Sequence, residues 1–553
     1  MSESKLEIIP LGGVGLFGMN MMAMRYGGEA IIIDAGMGFP EADLPGIDIV
    51  IPDFSFIDEY RDEFSAIVLT HGHEDHIGAV PFLLKEINVP VYGTHFTLAL
   101  LDRKLEEHGL KNSTEVHAVE PREQVKTANF LIEWIHVSHS LTNCTAVAVT
   151  TPVGVVIHSG DFKIDDTPVV GPSIDLERLT EYGDQGVLAL LADSTNAERP
   201  GRTQSERAVI PALEKIFDEA PGRIVISCFT SSVHRIQIVL DLARDYGRRV
   251  SLLGRSMLRN VETADSYRQL DVPDGIFVSP NEARQMDDDQ LLLLVAGCQG
   301  DPMSAMTKLA TDQHKNLSVG EGDLVVLSAR QIPGNEPAIS RLMSHCYKRG
   351  ARVIDNSLAR IHVSGHGSQE DLKILIEATR PKFLVPIHGD HRQLYRHKEW
   401  AETLGIVEPR NIIVFENGDV LELDESHAEL IATEHVGRTF IDGSYGEVKD
   451  LVVRDRKHLS YDGVVLPIVV INPTSGELES DIEVVTRGFI PEEDAGEIVA
   501  ELKRIVEETV IGASHEERID YAVIKEKIRL ALKRFIQKQT GRRPMIIPVV
   551  VEV

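Results

Sequence analysis

Cysteine, aromatic side chains and positive charge are all scarce in this sequence, and each shortage removes a class of protein. The four cysteines, Cys144, Cys228, Cys298 and Cys346, stand far apart with no Cys-x-x-Cys pair. Neither a thiolate zinc site nor a disulfide framework is therefore indicated. No apolar run approaches the roughly 20 residues that span a bilayer, and Met1–Pro10 lacks the basic and apolar segments of a secretory signal. A cytoplasmic protein with no membrane partner is expected. Lys and Arg number 56 against 86 Asp and Glu, a net charge of −30. This argues against a broad non-specific grip on nucleic acid but not against a local basic groove. Between Gly201 and Asn260 there are 10 basic residues against 6 acidic ones, a reversal that a solvated helical face would also produce.

What is present is a long, well-mixed globular chain of 553 residues, 43% hydrophobic and 26% charged, long enough for two or three domains. Up to about residue 204, short β-branched runs such as Leu6–Pro10, Ala66–Thr70, Phe130–His136, Val155–His158 and Val187–Ala192 alternate with Gly, Pro and Asn clusters. Two packed sheets flanked by helices are expected, an αββα arrangement. From 205 to 364 the pattern becomes longer helix–strand alternation, as in a doubly wound α/β insert. Residues 365–442 return to the first domain. The polar stretch 443–462 reads as a linker, and 463–553 as a small α/β domain with two amphipathic helices, Glu493–Val510 and Glu517–Gln539. Its apolar final strand, Met545–Val553, is expected to be paired rather than exposed, with a subunit interface as the place for that pairing.

The chemistry concentrates after the strand Ala66–Thr70, in His71-Gly72-His73-Glu74-Asp75-His76. These potential ligands cannot share one face of a regular helix or strand, but a sharp turn at Gly72 lets them converge. Imidazole and carboxylate suit zinc or manganese. One cluster rarely completes two metal sites, and three further candidates lie just past strands: His139, Asp161 after Gly160, and His388. Two adjacent ions would suit phosphodiester, thioester or lactam hydrolysis alike, so these residues alone leave the substrate open.

His-x-His-x-Asp-His, then His139, then Gly160-Asp161, resembles the metallo-β-lactamase superfamily. The resemblance implies that His71, His73 and His139 hold one of two divalent ions, zinc or manganese. Asp75, His76 and His388 hold the other, with Asp161 bridging; Asp75 is also carried over as catalytic. Asp193 before the insert, Val363-Ser-Gly-His366-Gly at its close and Pro386-Ile-His388 resemble the three motifs of the β-CASP nucleases. Over residues 6 to about 440 the sequence is most similar to the ribonuclease J family. The matching motifs are Leu11-Gly-Gly-Val-Gly15, Asp34-Ala-Gly36-Met-Gly-Phe-Pro40, Gly300-Asp-Pro-Met-Ser304, Ile332-Pro-Gly-Asn-Glu336 and His362-Val-Ser-Gly-His-Gly367. The C-terminal unit matches that family's extra domain in size and position.

The resemblance implies a metallo-β-lactamase domain (1–204 and 365–442) interrupted by a β-CASP domain (205–364). It implies an RNA hydrolase in RNA processing and decay, acting 5′→3′ and internally on single-stranded RNA. It also implies a homodimer or homotetramer through the C-terminal domain, and association with other RNA-decay proteins. His388 favours RNA over DNA by the same resemblance. Ser231, Ser232, His234 and Arg235 open a helix and can meet a phosphate there, with His362, Ser364, Gly365 and His366 as further substrate contacts. His366 would protonate the leaving oxygen, aided by Asp193. A small-molecule thioester or lactone hydrolase and a non-catalytic RNA-binding scaffold are the alternatives. The sequence departs from the family at Leu16-Phe17, where an acidic residue and Ile are usual, and at Asp301, where Glu is usual.

Overall fold

The computed structural model describes residues 5–40, 44–332, 334–443, 446–490 and 495–553. Two compact units divide the chain: Met1–Phe39 with Val50–Arg438, and Pro40–Ile49 with Thr439–Val553.

The first unit contains the expected pair of facing sheets. One has eight strands, ordered Ala428–Thr433, Asp419–Leu423, Leu6–Gly12, Met21–Tyr26, Glu29–Ile33, Phe64–Val68, Val91–Thr94 and Val116–Val119. The other has six, ordered Phe383–Ile387, Val187–Asp193, Gly154–His158, Cys144–Thr151, Leu131–Val137 and Gln124–Lys126. Ile8, Met24, Ile31 and Val68 from the first meet Trp134, Val147, Val149 and Val156 from the second in one buried cluster. The sheets are also pinned at one edge. Trp134 Nε1 donates to the Leu69 carbonyl at 3.1 Å, and Thr145 donates to the Thr70 carbonyl through its amide at 3.0 Å and its hydroxyl at 2.8 Å.

The insert is a five-stranded sheet ordered Arg249–Leu253, Leu291–Val295, Ile224–Ser227, Leu324–Leu327 and Arg352–Ile354, parallel throughout. Leu291–Val295 reads Leu-Leu-Leu-Leu-Val and is buried at every position, as a parallel strand covered on both faces must be. Leu190 and Ala192 of the six-stranded sheet share a core with Ile224, Ile226 and Val326 of the insert. The two parts of this unit are thus continuous in packing.

In the second unit, Val464–Ile471 pairs antiparallel with Glu483–Arg487. Three local expectations change. The stretch read as a linker, 443–462, contains a helix at Asp450–Asp462, while its residues 444 and 445 lie outside the described set. The last helix is two, His515–Ile519 and Tyr521–Thr540, because Asp520 turns extended and caps the second by accepting from the amides of Ala522 and Val523. The final apolar run forms two short strands, Met545–Ile546 and Val549–Glu552, each parallel to Val464–Ile471. It therefore finds its partner within the chain. The other predicted helix is observed over Ala495–Ile511; its expected first residues, 493 and 494, lie outside the described set.

Candidate metal and catalytic centre

The ligand-bearing loops all follow strand C-termini at one edge of the two sheets. His71 follows Phe64–Val68, His139 follows Leu131–Val137, Asp161 follows Gly154–His158 and His388 follows Phe383–Ile387. Parallel pairing sets Asp193 beside Ile387, so the chain emerges from both strands side by side and Thr195 meets His388. Two glycines permit the close approach. A Cβ on Gly36 would lie 1.6 Å from the Asp75 carbonyl oxygen, and one on Gly365 would lie 2.6 Å from the His139 ring.

The result is two groups of donor atoms that share Asp161: His71, His73 and His139 on one side, Asp75, His76 and His388 on the other. His71 Nε2 and His139 Nε2 lie 3.1 and 3.2 Å from His73 Nδ1. His76 Nε2 and His388 Nε2 lie 3.3 and 3.5 Å from the two Asp161 oxygens. Ligands around a tetrahedral zinc with bonds of about 2.0 Å are separated by about 3.3 Å, so the spacing fits a divalent ion on each side. The polar accounting agrees. Asp161 Oδ1 and His388 Nε2 are buried with no hydrogen-bond partner among the described residues, an orphaned pair that a cation would satisfy.

Four of the five imidazoles, those of His71, His76, His139 and His388, are oriented through their other nitrogen. His139 Nδ1 donates to the Gly365 carbonyl at 2.7 Å and His76 Nδ1 to Asp34 Oδ2 at 2.7 Å. The Thr70 hydroxyl donates to the same Asp34 oxygen at 2.7 Å and lies 3.0 Å from His71 Nδ1. His388 Nδ1 is 2.8 Å from the Thr195 hydroxyl, which donates to Asp193 Oδ1 at 2.8 Å. Such partners fix the tautomer and leave the opposite nitrogen free for a metal. Burial, then the neighbouring rings, holds His71 and His139 well below the ordinary histidine range, and burial brings His73 down to about 4. For His76 and His388 burial is outweighed by carboxylates, Asp161 foremost, and both are raised. The negative field that holds those protons would equally hold a cation.

Asp193 also binds the second histidine of the closing motif: its Oδ2 accepts from His366 Nδ1 at 2.8 Å. His366 Nε2 is left facing the cradle, 4.0 Å from Asp161 Oδ2. Burial lowers the His366 pKa, but Asp193 and Asp161 reverse this and raise it. Asn196 holds the loop by donating to the Ser364 hydroxyl at 2.8 Å and to the His366 carbonyl at 2.9 Å.

The expected substrate contacts divide. Ser231 and Ser232 are half-buried at the start of the helix Val233–Asp245. His362 and Ser364 line an open pocket. Gly365 serves His139, through the close approach and the carbonyl described above. Two expectations are corrected. His234 is 5% exposed and its Nδ1 accepts from the Val170 amide at 3.3 Å. Arg235 is 1% exposed; its guanidinium donates to Glu206, the Ser328 hydroxyl and the Ile361 carbonyl. Both face the protein interior. Of the residues that spacing and motif did not single out as site residues, Asp34, Thr70, Thr195 and Asn196 orient the centre. Asp34 begins one of the family motifs and Asp193-Ser-Thr-Asn196 continues another, which was the available signal. At the family departure, Leu16 forms a bridge to Gly389 and Phe17 stays 47% exposed.

The sequence matches family profiles along its length. Residues 14–226 match the metallo-beta-lactamase superfamily, and residues 221–346 match the ribonuclease J beta-CASP domain. Residues 352–413 match a Zn-dependent metallo-hydrolase RNA specificity domain, and residues 451–553 the ribonuclease J C-terminal domain. Among curated relatives, ribonuclease J of Synechocystis sp. is 38% identical over 98% of this chain and 86% of its own. Ribonuclease J of Thermus thermophilus is 38% identical over 100% and 96%, and ribonuclease J2 of Bacillus subtilis 35% identical over 100% and 99%. A solved structure of a protein of unknown function from Enterococcus faecalis shares the fold, with a TM-score of 0.54 at 16% identity, covering 76% of this chain and 100% of that one.

Proposed function

This chain belongs to the ribonuclease J family, a family of metal-dependent ribonucleases, and from that premise we propose that it hydrolyses single-stranded RNA 5′→3′ and internally, in RNA processing and decay. The observation that carries the reading is the pair of donor groups sharing Asp161, with the His366–Asp193 pair beside them. His71, His73 and His139 would hold one divalent ion and Asp75, His76 and His388 the other, zinc or manganese, with Asp161 touching both. Such ions supply an activated water and neutralise charge on the phosphate.

The chain's own groups supply the rest. Asp193 accepts the Nδ1 proton of His366, so the proton on Nε2 is the one presented to the leaving 3′ oxygen. Asp193 also steadies His388 through Thr195. Ser231, Ser232, His362 and Ser364 are the side chains placed to receive phosphate oxygens. The Ser231 and Ser232 hydroxyls have no hydrogen-bond partner among the described residues.

The full chain, stripped with chelator and given back Mn²⁺ or Zn²⁺, is expected to degrade 5′-monophosphorylated single-stranded RNA faster than the 5′-triphosphorylated form. RNA left intact with every metal would overturn the reading. A cytoplasmic homodimer or homotetramer formed through the C-terminal domain, working with other RNA-decay proteins, completes the proposal. Exposed apolar side chains such as Ile511, Val551 and Val553 support it. Light scattering that returns a monomer mass at all concentrations would remove the oligomer.

A further inference from the structure

Two crossover segments join the sheet sandwich to the insert: residues 196–204 on the way out, and residues 355–364 on the way back. Between them lies an open pocket of about 480 Å³. Its 15 lining residues include Arg199, Arg202, Arg360 and His362 and no carboxylate. In a chain with 86 acidic residues and 56 basic ones, an acid-free wall of this size is against the overall balance.

The cations of the pocket are only partly neutralised from within. Arg202 pairs with Asp166 at 3.0 Å and lies 3.5 Å from Asp371. Arg360 donates to the uncharged Gln204 at 2.7 Å. Arg199 has no side-chain partner among the described residues. Its charge also reaches Arg330, whose guanidinium, among the described residues, has no carboxylate partner and donates only to Asn196, at 3.4 Å. Burial and then Arg199 push the Arg330 pKa down, as happens when like charges face each other with no anion between them. At the inner end, the ring of His362 has no hydrogen-bond partner among the described residues. The Ser364 hydroxyl accepts from Asn196 and from the His366 amide, at 2.8 and 3.2 Å, which leaves its own proton to give. That serine stands two residues from His366.

We propose that this pocket binds an internal backbone phosphate of the RNA strand, next to the one being cleaved, with Arg199 and Arg360 gripping it from the two crossovers and Ser364 and His362 completing the contact. The assignment rests on the ribonuclease reading above. Planar guanidinium donors suit a phosphodiester. An open trough of exposed arginines, continuous with the catalytic loop, suits a passing strand rather than a sealed small molecule. Arg199 and Arg360 belong to different crossovers, so one phosphate between them would also tie the insert to the sandwich while the strand is held.

The test uses the full chain in chelator with a fluorescent single-stranded RNA bearing a 5′-hydroxyl. Arg199→Ala and Arg360→Ala spare the buried networks, and matched thermal midpoints check that each variant folds. The double variant is expected to bind roughly tenfold more weakly. Its plot of log affinity against log salt should be shallower by roughly 0.7 for each phosphate charge that is no longer neutralised. With metal restored, KM should rise while kcat holds. Lys373→Ala, a surface cation outside the pocket, should change nothing.

Wild-type affinity and salt slope in the double variant would overturn the assignment, and so would a loss confined to 5′-monophosphorylated RNA. Pocket-dependent binding of adenosine monophosphate or inorganic phosphate, with RNA affinity unchanged, would overturn it in favour of a small anion. If the unaltered protein neither binds nor cleaves RNA, the ribonuclease reading fails and the pocket assignment falls with it. If it cleaves RNA and the double variant matches it in every respect, only the pocket assignment fails.

Discussion

Two buried clusters of charged and titratable side chains lie in the same unit, and they are built on opposite plans. Around Asp161, donor atoms from four strand ends face a common space, and Asp161 Oδ1 and His388 Nε2 remain without partners. Around Arg235 the charges close on one another, although Arg235 Nε is itself buried without a hydrogen-bond partner among the described residues. Its guanidinium meets Glu206, Ser328 and the Ile361 carbonyl, and Lys163, 1% exposed, lies 3.5 Å from Asp165 and 3.9 Å from Glu206. A cluster whose groups satisfy each other holds a structure together. One that turns an unpaired carboxylate oxygen and imidazole nitrogens toward a common space is waiting for a cation from outside.

The largest effect should come from the open cluster. His366→Ala is expected to lower kcat by about 10²- to 10⁴-fold through loss of the proton donor, with bound metal unchanged by elemental analysis. A variant with near-normal kcat would place the donor elsewhere. In the closed cluster, Arg235→Ala should leave Glu206 buried and uncompensated and lower stability by about 3–5 kcal/mol, read from the urea midpoint. An unchanged midpoint with a raised KM would make Arg235 a substrate contact after all and erase the contrast. Thr195→Val removes the hydroxyl that bridges His388 and Asp193, leaving only the direct 3.4 Å approach of His388 Nδ1 to Asp193 Oδ1. Metal affinity should weaken about 10- to 100-fold, measured by chelator competition, with little change in the urea midpoint of the metal-free protein.

The smallest effect concerns acid. Burial raises the Glu206 pKa, but Arg235 and Lys163 more than reverse this, so its folded value is lowered. A lowered carboxylate contributes stability that is present above its unfolded pKa, near 4.3. That contribution is lost as pH falls through the folded value. Glu206→Gln should therefore flatten the acid limb of the stability curve, and an unaltered limb would mean that Arg235 draws its compensation elsewhere.

The open cluster was legible in the sequence because its donor residues stand just past apolar strands, a pattern that survives in one dimension. His71, His139, Asp161 and His388 could be found from strand ends alone, and family resemblance sorted them into two groups. The closed cluster was not legible. Arg235 looked like a phosphate contact at the opening of a helix, yet Val233–Leu240 is buried at every position. Its partners stand 29, 93 and 126 residues away, beyond the reach of any local pattern. Apolar residues at 236, 238, 239 and 240 were the available sign that the first two turns of this helix have no solvent face. Asp520 misled for the opposite reason. The amphipathic rhythm runs through it unbroken, while its side chain prefers to cap the next helix.

The pairing of Val187–Asp193 with Phe383–Ile387 bears on how the protein is made. Asp193 and its neighbour Ile387 are 194 residues apart, so at about 5–20 residues per second a ribosome needs about 10–40 s to deliver the second strand after the first. Through that interval the nascent six-stranded sheet carries a naked apolar edge at Val187–Asp193, the kind of surface that seeds aggregation. The insert's own five-stranded parallel sheet is complete at Ile354, some thirty residues before the closing strand, and can fold in the meantime. Chains arrested between those two points would carry a finished insert on an unfinished sandwich, and should need chaperones more than either shorter or longer ones.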